Sequence, residues 1–347
     1  MKPVVTNSTP DPRVDALSRW LAELGAPVAS VAPASADASF RRYFRVTLES
    51  RWMRADGHAT LIAMDAPPAN EDCRPYVHVA ALLRDAGVHV PAIFAADVAQ
   101  GFLLMSDLGT RTYASVLDAT NAGALYDDAL DALVRMQKVR CDDALPPYDD
   151  TLLRRELALF PDWYVERHLR RTLTRAERET LVRVFDAIVA NNLAQPRVFV
   201  HRDYHSRNLM LATPNPGVLD FQDAVCGPIT YDLVSLLRDA YVEWSEERQI
   251  DWAVRYWERA RDAGLPVHAD FGDLWRDFEW MGVQRQIKVL GIFARLKHRD
   301  GKSAYVDDMP RVMRYLRNAV RRYRELARLL PLLDALEDRA PDAVPAG

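Results

Sequence analysis

Cysteine is scarce: Cys73, Cys141 and Cys226 are the only three in 347 residues, and none forms a CxxC pair. So odd and scattered a set excludes a disulfide framework or a cysteine-built zinc site, and it fits a reducing compartment. An excess of one charge is also missing, since 45 Lys+Arg against 49 Asp+Glu leave a net charge of −4. Without a global positive field a nucleic-acid partner would need a local patch, and none is expected. No stretch approaches the ~20 apolar residues of a membrane span, and the opening MKPVVTNSTPDPR has no apolar leader core. The expectation is a soluble, cytoplasmic protein with no nucleic-acid, membrane or obligate protein partner.

What is present is an ordinary globular composition, 49% hydrophobic and 27% charged, which excludes wholesale disorder. The first hundred residues are strand-rich. Phe40–Leu48, Ala59–Met64, Pro91–Ala96 and Gly101–Met105 read as strands. A helix is predicted from about Arg74 to Ala86, with Tyr76, Val79, Ala80 and Leu83 on one face and Gly87 as its stop. After Gly109 the pattern turns helical. Leu125, Ala129, Leu133 and Met136 form one stripe, and Thr174 with Glu177 forms a capping box. Further helices are predicted over about Leu233–Tyr241, Trp252–Ala263, Leu274–His298 and Val312–Leu330, interrupted earlier by short strands at Arg197–Arg202 and Gly217–Phe221. The expected fold is α+β, with residues 1–106 as a small sheet-rich lobe, 107–340 as a large helical lobe, and 341–347 as a loose tail.

The sharpest chemical signal is His201-Arg202-Asp203-Tyr204-His205-Ser206-Arg207-Asn208, followed by Leu219-Asp220-Phe221-Gln222-Asp223. It reads H-x-D-x-x-x-x-N after an apolar strand, with a second apolar strand ending in Asp220. Phosphoryl transfer needs a carboxylate to orient and accept a hydroxyl proton, and hard oxygen ligands to hold Mg²⁺ on the phosphates. Asp203 suits the first task; Asn208 and Asp220 suit the second. A bare Asp and Asn at this spacing would more simply cap a turn, but the flanking strands favour the catalytic reading.

These segments, with GPITYDL further on, resemble the catalytic motif and metal-binding segment of the aminoglycoside phosphotransferase family, which has a bilobal protein-kinase-like fold. SADASFRRYFRV, MDAPP, GFLLMSDLG, LLRRELALFPDWYV and MGVQRQIKVLGIFARLKHRDGK resemble one branch more closely. Those are the anomeric amino-sugar kinases that act on N-acetylmuramate and N-acetylglucosamine in peptidoglycan recycling. The resemblance runs from about Ser35 to Lys302 and implies an ATP- and Mg²⁺-dependent kinase of the C1 hydroxyl. A kinase of another small alcohol (an aminoglycoside, choline or homoserine) is the alternative within enzymes, and a nucleotide-binding pseudokinase is the alternative outside them.

Carried over by position, the resemblance implies Asp203 as the base and Asn208 and Asp220 as Mg²⁺ ligands. Asp223 is expected to assist the metal or organise the loop, Asp232 to steady the catalytic loop or simply start a helix, and His201 to pack beneath the loop. Met105, Asp107 and Leu108 correspond to the strand exit whose backbone meets the adenine edge. Ser35, Asp37 and Ser39 correspond to a phosphate-covering loop that here contains no glycine. The strand lysine that grips the phosphates is missing, with Met64 in its place. Its charge is expected from Arg41, Arg42 or Arg45, or from the metal alone. For the sugar, Glu156, Trp163 and Tyr164 offer a carboxylate and aromatic faces, while Arg285 and Lys288 could face a sugar carboxylate.

Overall fold

The computed structural model describes residues 11–36 and 40–337. Its chain divides into two compact units: one takes in residues up to Arg84 and His89–Thr110, the other Asp85–Val88 and everything from Arg111.

The first unit is built on five antiparallel strands: β1 (Val28–Ala36), β2 (Arg42–Leu48), β3 (Thr60–Asp65), β4 (Ile93–Asp97) and β5 (Phe102–Ser106), in the order β1-β2-β3-β5-β4. Helix α1 (Pro12–Glu23) starts where the Asp11 carboxylate accepts from the N–H of Arg13 and Pro12 occupies the first turn. It buries Leu17, Trp20 and Leu21 against Phe44, Val46, Leu61, Ala63, Phe102 and Leu104, all on one face of the sheet. The other face carries Tyr43, Arg45, Ile62, Met64, Leu103 and Met105, which are cross-strand partners. Helix α2 (Arg74–Asp85) reaches that second face, where the Tyr76 hydroxyl lies 3.2 Å from Met105 Sδ. Its predicted stripe of Tyr76, Val79, Ala80 and Leu83 is buried. Strand β1 was not foreseen, because VASVAPASA is small-residue-rich and contains Pro33. It carries Ser35 and Ala36 as its last residues, so the segment expected to be a phosphate-covering loop begins in strand.

The second unit is largely helical. Its elements are α3 (Tyr113–Val116), α4 (Ala122–Gln137), α5 (Asp150–Leu157), α6 (Arg175–Ala194), α7 (Tyr231–Leu237), α8 (Glu246–Asp262), α9 (Phe271–Asp300), α10 (Met309–Arg322) and α11 (Leu330–Glu337). A π-helical segment, Phe160–His168, follows α5. Two strand pairs interrupt the helices, β6 (Arg197–Val200) with β9 (Val225–Pro228) and β7 (Leu209–Met210) with β8 (Gly217–Val218). The Thr174–Glu177 capping box forms at the start of α6. The long α9 is buried on most sides and runs against the π-helical segment, at a distance only Gly291 allows: a Cβ there would sit 2.5 Å from the Leu159 carbonyl carbon. The single helix expected over Val312–Leu330 is in fact broken after Arg322. Tyr323 turns the backbone extended at that point and places its hydroxyl on Glu279, 2.7 Å away, while Pro331 is accommodated in the first turn of α11.

Two of the three cysteines are joined. Cys141 and Cys226 form a disulfide, which corrects the expectation of unpaired thiols. They are 85 positions apart, but backbone bonds from Tyr148 N to Cys226 O and from Cys226 N to Pro146 O lay the loop after α4 alongside β9. Among the described residues no helix is long and apolar enough to cross a membrane.

Candidate active site

Strand β6 delivers the chain into His201 to Asn208, and the loop is fixed from below by a carboxylate. Asp232, in the first turn of α7, accepts the N–H of His201 at 2.6 Å and that of Arg202 at 3.0 Å. It lies in the first turn of the helix, but both its oxygens are spent on the loop, which favours the steadying role of the two readings left open above. Arg202 sits in the left-handed region at φ 79°, an uncommon state for a non-glycine residue that persists only where the surroundings over-determine it. The two N–H bonds to Asp232 supply part of that determination, and the side chain supplies the rest.

His201 is fully buried. Its Nδ1 accepts from the Asp203 N–H at 3.2 Å, so the ring proton lies on Nε2 and is donated to the Leu219 carbonyl at 2.9 Å. Burial lowers its pKa to about 4, so it is neutral and serves the loop as a brace. A second carboxylate, Asp239, accepts the N–H of Ser206 and that of Tyr241, each at 2.8 Å.

On this frame the three predicted residues converge. Asn208 donates its amide nitrogen to the Asp203 carbonyl at 2.9 Å and lies 3.4 Å from Asp220 Oδ2. With Nδ2 so placed, Oδ1 is the atom Asn208 can offer to a cation. Asp220 has a left-handed backbone, φ 61°, and the amide of Gln222 reaches its Oδ1 at 2.8 Å and the exposed Asp223 at 3.3 Å. Asp223 thus helps to order the Gln222 amide. An amide oxygen and a carboxylate at this point form a hard-oxygen set that fits Mg²⁺.

Behind Asp203 lies a buried ionic cluster that sequence reasoning divided differently. Glu156, on α5, is buried and accepts from Arg202 at 2.6 Å, from Lys288 at 3.0 Å and from the Tyr148 hydroxyl. Lys288 also donates to the Tyr231 hydroxyl at 2.8 Å, and Arg285 to the Arg202 carbonyl at 3.2 Å. Burial by itself would raise the Asp203 pKa, but Lys288 and Arg285, with His205 and Arg202, hold the carboxyl well below its ordinary range. Glu156, Arg285 and Lys288 are therefore committed to one another and to the loop, which corrects their assignment to the sugar. Tyr164 is likewise turned inward, stacked between Phe160 and His168 with ring centroids 5.2 and 5.8 Å away. Trp163 beside it is half-buried, with Arg167 over its ring. Arg202, Tyr148, Tyr231 and Asp239 were missed. Only Arg202 had a signal, its place inside the motif.

In the first unit, alternation along β2 separates the arginines. Arg42 shares the α1 face and binds the buried Asp65 (3.1 Å from its Nε) and Asp11, while Arg13 holds the other Asp65 oxygen. Arg42 thus anchors α1 to the sheet, which corrects its assignment to phosphate. Arg45 shares the face of Met64 and donates to Asp107 at 2.6 Å and to the Gly109 carbonyl at 3.1 Å, fixing the strand exit. Met105 is buried in β5, and Leu108 follows Asp107 in the same exit. Arg41 precedes β2. Asp37 and Ser39 lie outside the described residues, and of Ser35 only the backbone pairing with Tyr43 is described.

A strand-delivered Asp, an Asn braced on its carbonyl and an Asp closing the next hairpin together define a phosphotransferase loop. The family profile described as "Phosphotransferase enzyme family" matches residues 30–271, and the chain belongs to that family. It is 55% identical over 317 residues to a Pseudomonas aeruginosa protein named N-acetylmuramate/N-acetylglucosamine kinase, covering 90% of each chain. A Neisseria meningitidis protein of the same name is 48% identical over 304 residues, covering 86% of this chain and 88% of that one. A choline kinase from Streptococcus pneumoniae shares the fold at TM-score 0.61 and 13% identity, over 89% of this chain and 100% of that one. The GDP complex of an aminoglycoside 2'-phosphotransferase shares it at TM-score 0.61 and 14% identity, over 89% and 99%. The chain is a phosphate-transferring enzyme with the protein-kinase-like α+β fold.

Proposed function

We propose that the enzyme transfers the terminal phosphate of ATP to the anomeric hydroxyl of N-acetylmuramate and N-acetylglucosamine, returning cell-wall sugars to metabolism in the cytoplasm, where ATP is supplied. The observation that carries the transfer chemistry is the setting of Asp203, ionised among Lys288, Arg285 and Arg202 and one residue beyond a doubly anchored backbone. Support for the sugar comes from the shared name of relatives 48–55% identical over most of both chains.

Asp203 orients the acceptor hydroxyl and takes its proton as the oxygen bonds to phosphorus and ADP leaves. A carboxylate held this far below its ordinary pKa is a weak base, which suits a hemiacetal hydroxyl, more acidic than an ordinary alcohol. Mg²⁺, when bound, neutralises phosphate charge; Asn208 Oδ1 and the Asp220 carboxylate would hold it. Arg45 and Arg41 are left to supply charge on the nucleotide face of the sheet, and Met105–Leu108 to meet the adenine edge through backbone groups. Trp163 remains the aromatic face proposed for the sugar ring. The test is ADP release by the purified chain: it should depend on either sugar and on Mg²⁺, and no release with either sugar would remove the reading.

A further inference from the structure

The two proposed sugars differ by one charge. N-acetylmuramate carries a lactyl carboxylate on O3, and N-acetylglucosamine has a hydroxyl there. Reading that difference takes a cation that is exposed near the catalytic loop and not already spent. Arg285 and Lys288 do not qualify, being buried and bonded to the Arg202 carbonyl, Tyr231 and Glu156.

Arg207 does qualify. It sits on the loop itself, between Ser206 and Asn208, and its side chain is 46% exposed. Its guanidinium carbon lies 3.5 Å from the centroid of the Tyr241 ring and 5.6 Å from that of Tyr305. A guanidinium held that close over a ring lies nearly flat on it, with its N–H donors directed outward in its own plane, the fork that matches a carboxylate. The bed beneath it is fixed. Tyr241 packs against His205 and Phe293, Phe293 against Tyr305, and Asp239 holds the Tyr241 and Ser206 backbones together. The His205 ring, two residues beyond Asp203, lies 5.3 Å from that of Tyr241, so the bed adjoins the catalytic loop. The nearest acid, Asp308, is 4.0 Å from Arg207 and is bonded by Arg311 at 2.8 Å. Among the described residues nothing accepts a hydrogen bond from the Arg207 fork.

We infer that Arg207, laid flat on Tyr241, is the specificity residue that binds the carboxylate of the acidic amino sugar; the inference rests on the function proposed above. Its position beside Asn208 would also suit a contact to phosphate, but that role would serve both sugars equally, and the experiment separates the two.

Steady-state kinetics of the full chain and of Arg207→Met are to be measured with N-acetylmuramate, its methyl ester and N-acetylglucosamine. A charge-assisted bond of this kind is worth roughly 10–100-fold. The ratio of kcat/KM for the acid over the neutral sugar should fall by that factor in the variant, with the loss in KM. The wild type should discriminate against the ester by a similar factor, and the variant should use acid and ester alike. Arg207→Lys, which keeps the charge without the fork, should fall between and shows that the loop still folds. A wild type that uses both sugars while Arg207→Met leaves the ratio unchanged, whether both rates drop or neither does, overturns the inference alone. A wild type that uses neither sugar overturns the functional reading beneath it.

Discussion

Glu156 and Arg202, 46 positions apart, meet at 2.6 Å in the interior of the helical unit, and Lys288 joins the same Glu156 oxygen at 3.0 Å. One buried carboxylate thus compensates two cations on which the geometry behind Asp203 depends. Glu156→Gln leaves both cations without their counter-charge, and breaking a buried pair in this way costs about 3–5 kcal/mol. Denaturant unfolding should show that loss, together with a fall in kcat. A variant of wild-type stability would mean that water already reaches the cluster.

The strand alternation that places Arg42 and Arg45 on opposite faces makes their variants separable. Arg42→Ala removes an anchor of α1 but leaves Asp65 bonded to Arg13, so a loss of about 1–2 kcal/mol is expected, with no change in KM for ATP. Arg45→Ala, which frees Asp107 and the Gly109 carbonyl, should raise the KM for ATP, as should Arg41→Ala. If Arg42→Ala alone weakens ATP, the facial assignment is wrong.

His201 and Asp232, which meet at the base of the loop, give stability two opposed dependences on pH. Buried His201 takes up a proton only near pH 4, against 6.5 for an ordinary histidine, so below pH 6.5 the unfolded chain binds a proton that the folded one refuses. The contribution is complete above pH 6.5 and is lost as pH falls toward 4, at about 1.4 kcal/mol per pH unit. His168, also lowered to about 4 by burial, adds in the same direction. Asp232, raised to about 7 by burial, works in the opposite direction, since between pH 7 and 4 the folded chain holds a proton there that the unfolded one releases. The His201 share therefore shows as a difference: the stability of the wild type relative to His201→Gln should decline from pH 7 to pH 5, and an unchanged difference would place the titration elsewhere.

Much of this was legible because chemistry and periodicity coincide in short stretches. Asp203, Asn208 and Asp220 declare themselves through spacing between apolar strands, and the α2 stripe through a clean helical repeat. What was not legible depended on partners distant in sequence. Arg285 and Lys288 read as cations for a sugar carboxylate until α9 is seen to be buried nearly all round and Glu156 arrives from α5. Three arginines near one strand read as a single group, yet a pleat of period two assigns Arg42 to α1. Cys141 and Cys226 meet only through the pairing of β6 with β9 and the bonds of the Pro146–Tyr148 segment.

The assignment of roles at the loop predicts two different kinetic signatures. Asp203→Asn should lower kcat by ~10²–10⁴-fold while nucleotide affinity changes little, since only proton transfer is removed. Asp220→Ala should abolish Mg²⁺-dependent turnover, and chelation of the wild type should do the same. Turnover that persists in excess EDTA would exclude both the metal and its two ligands.

The central claim is transfer to the anomeric oxygen, and the product itself decides it. Phosphorus NMR of the product from N-acetylglucosamine and ATP should show a 1-phosphate coupled to the anomeric proton, and the methyl glycoside, whose anomeric oxygen is blocked, should not be phosphorylated. A 6-phosphate in that spectrum, or brisk turnover of the methyl glycoside, would contradict the account.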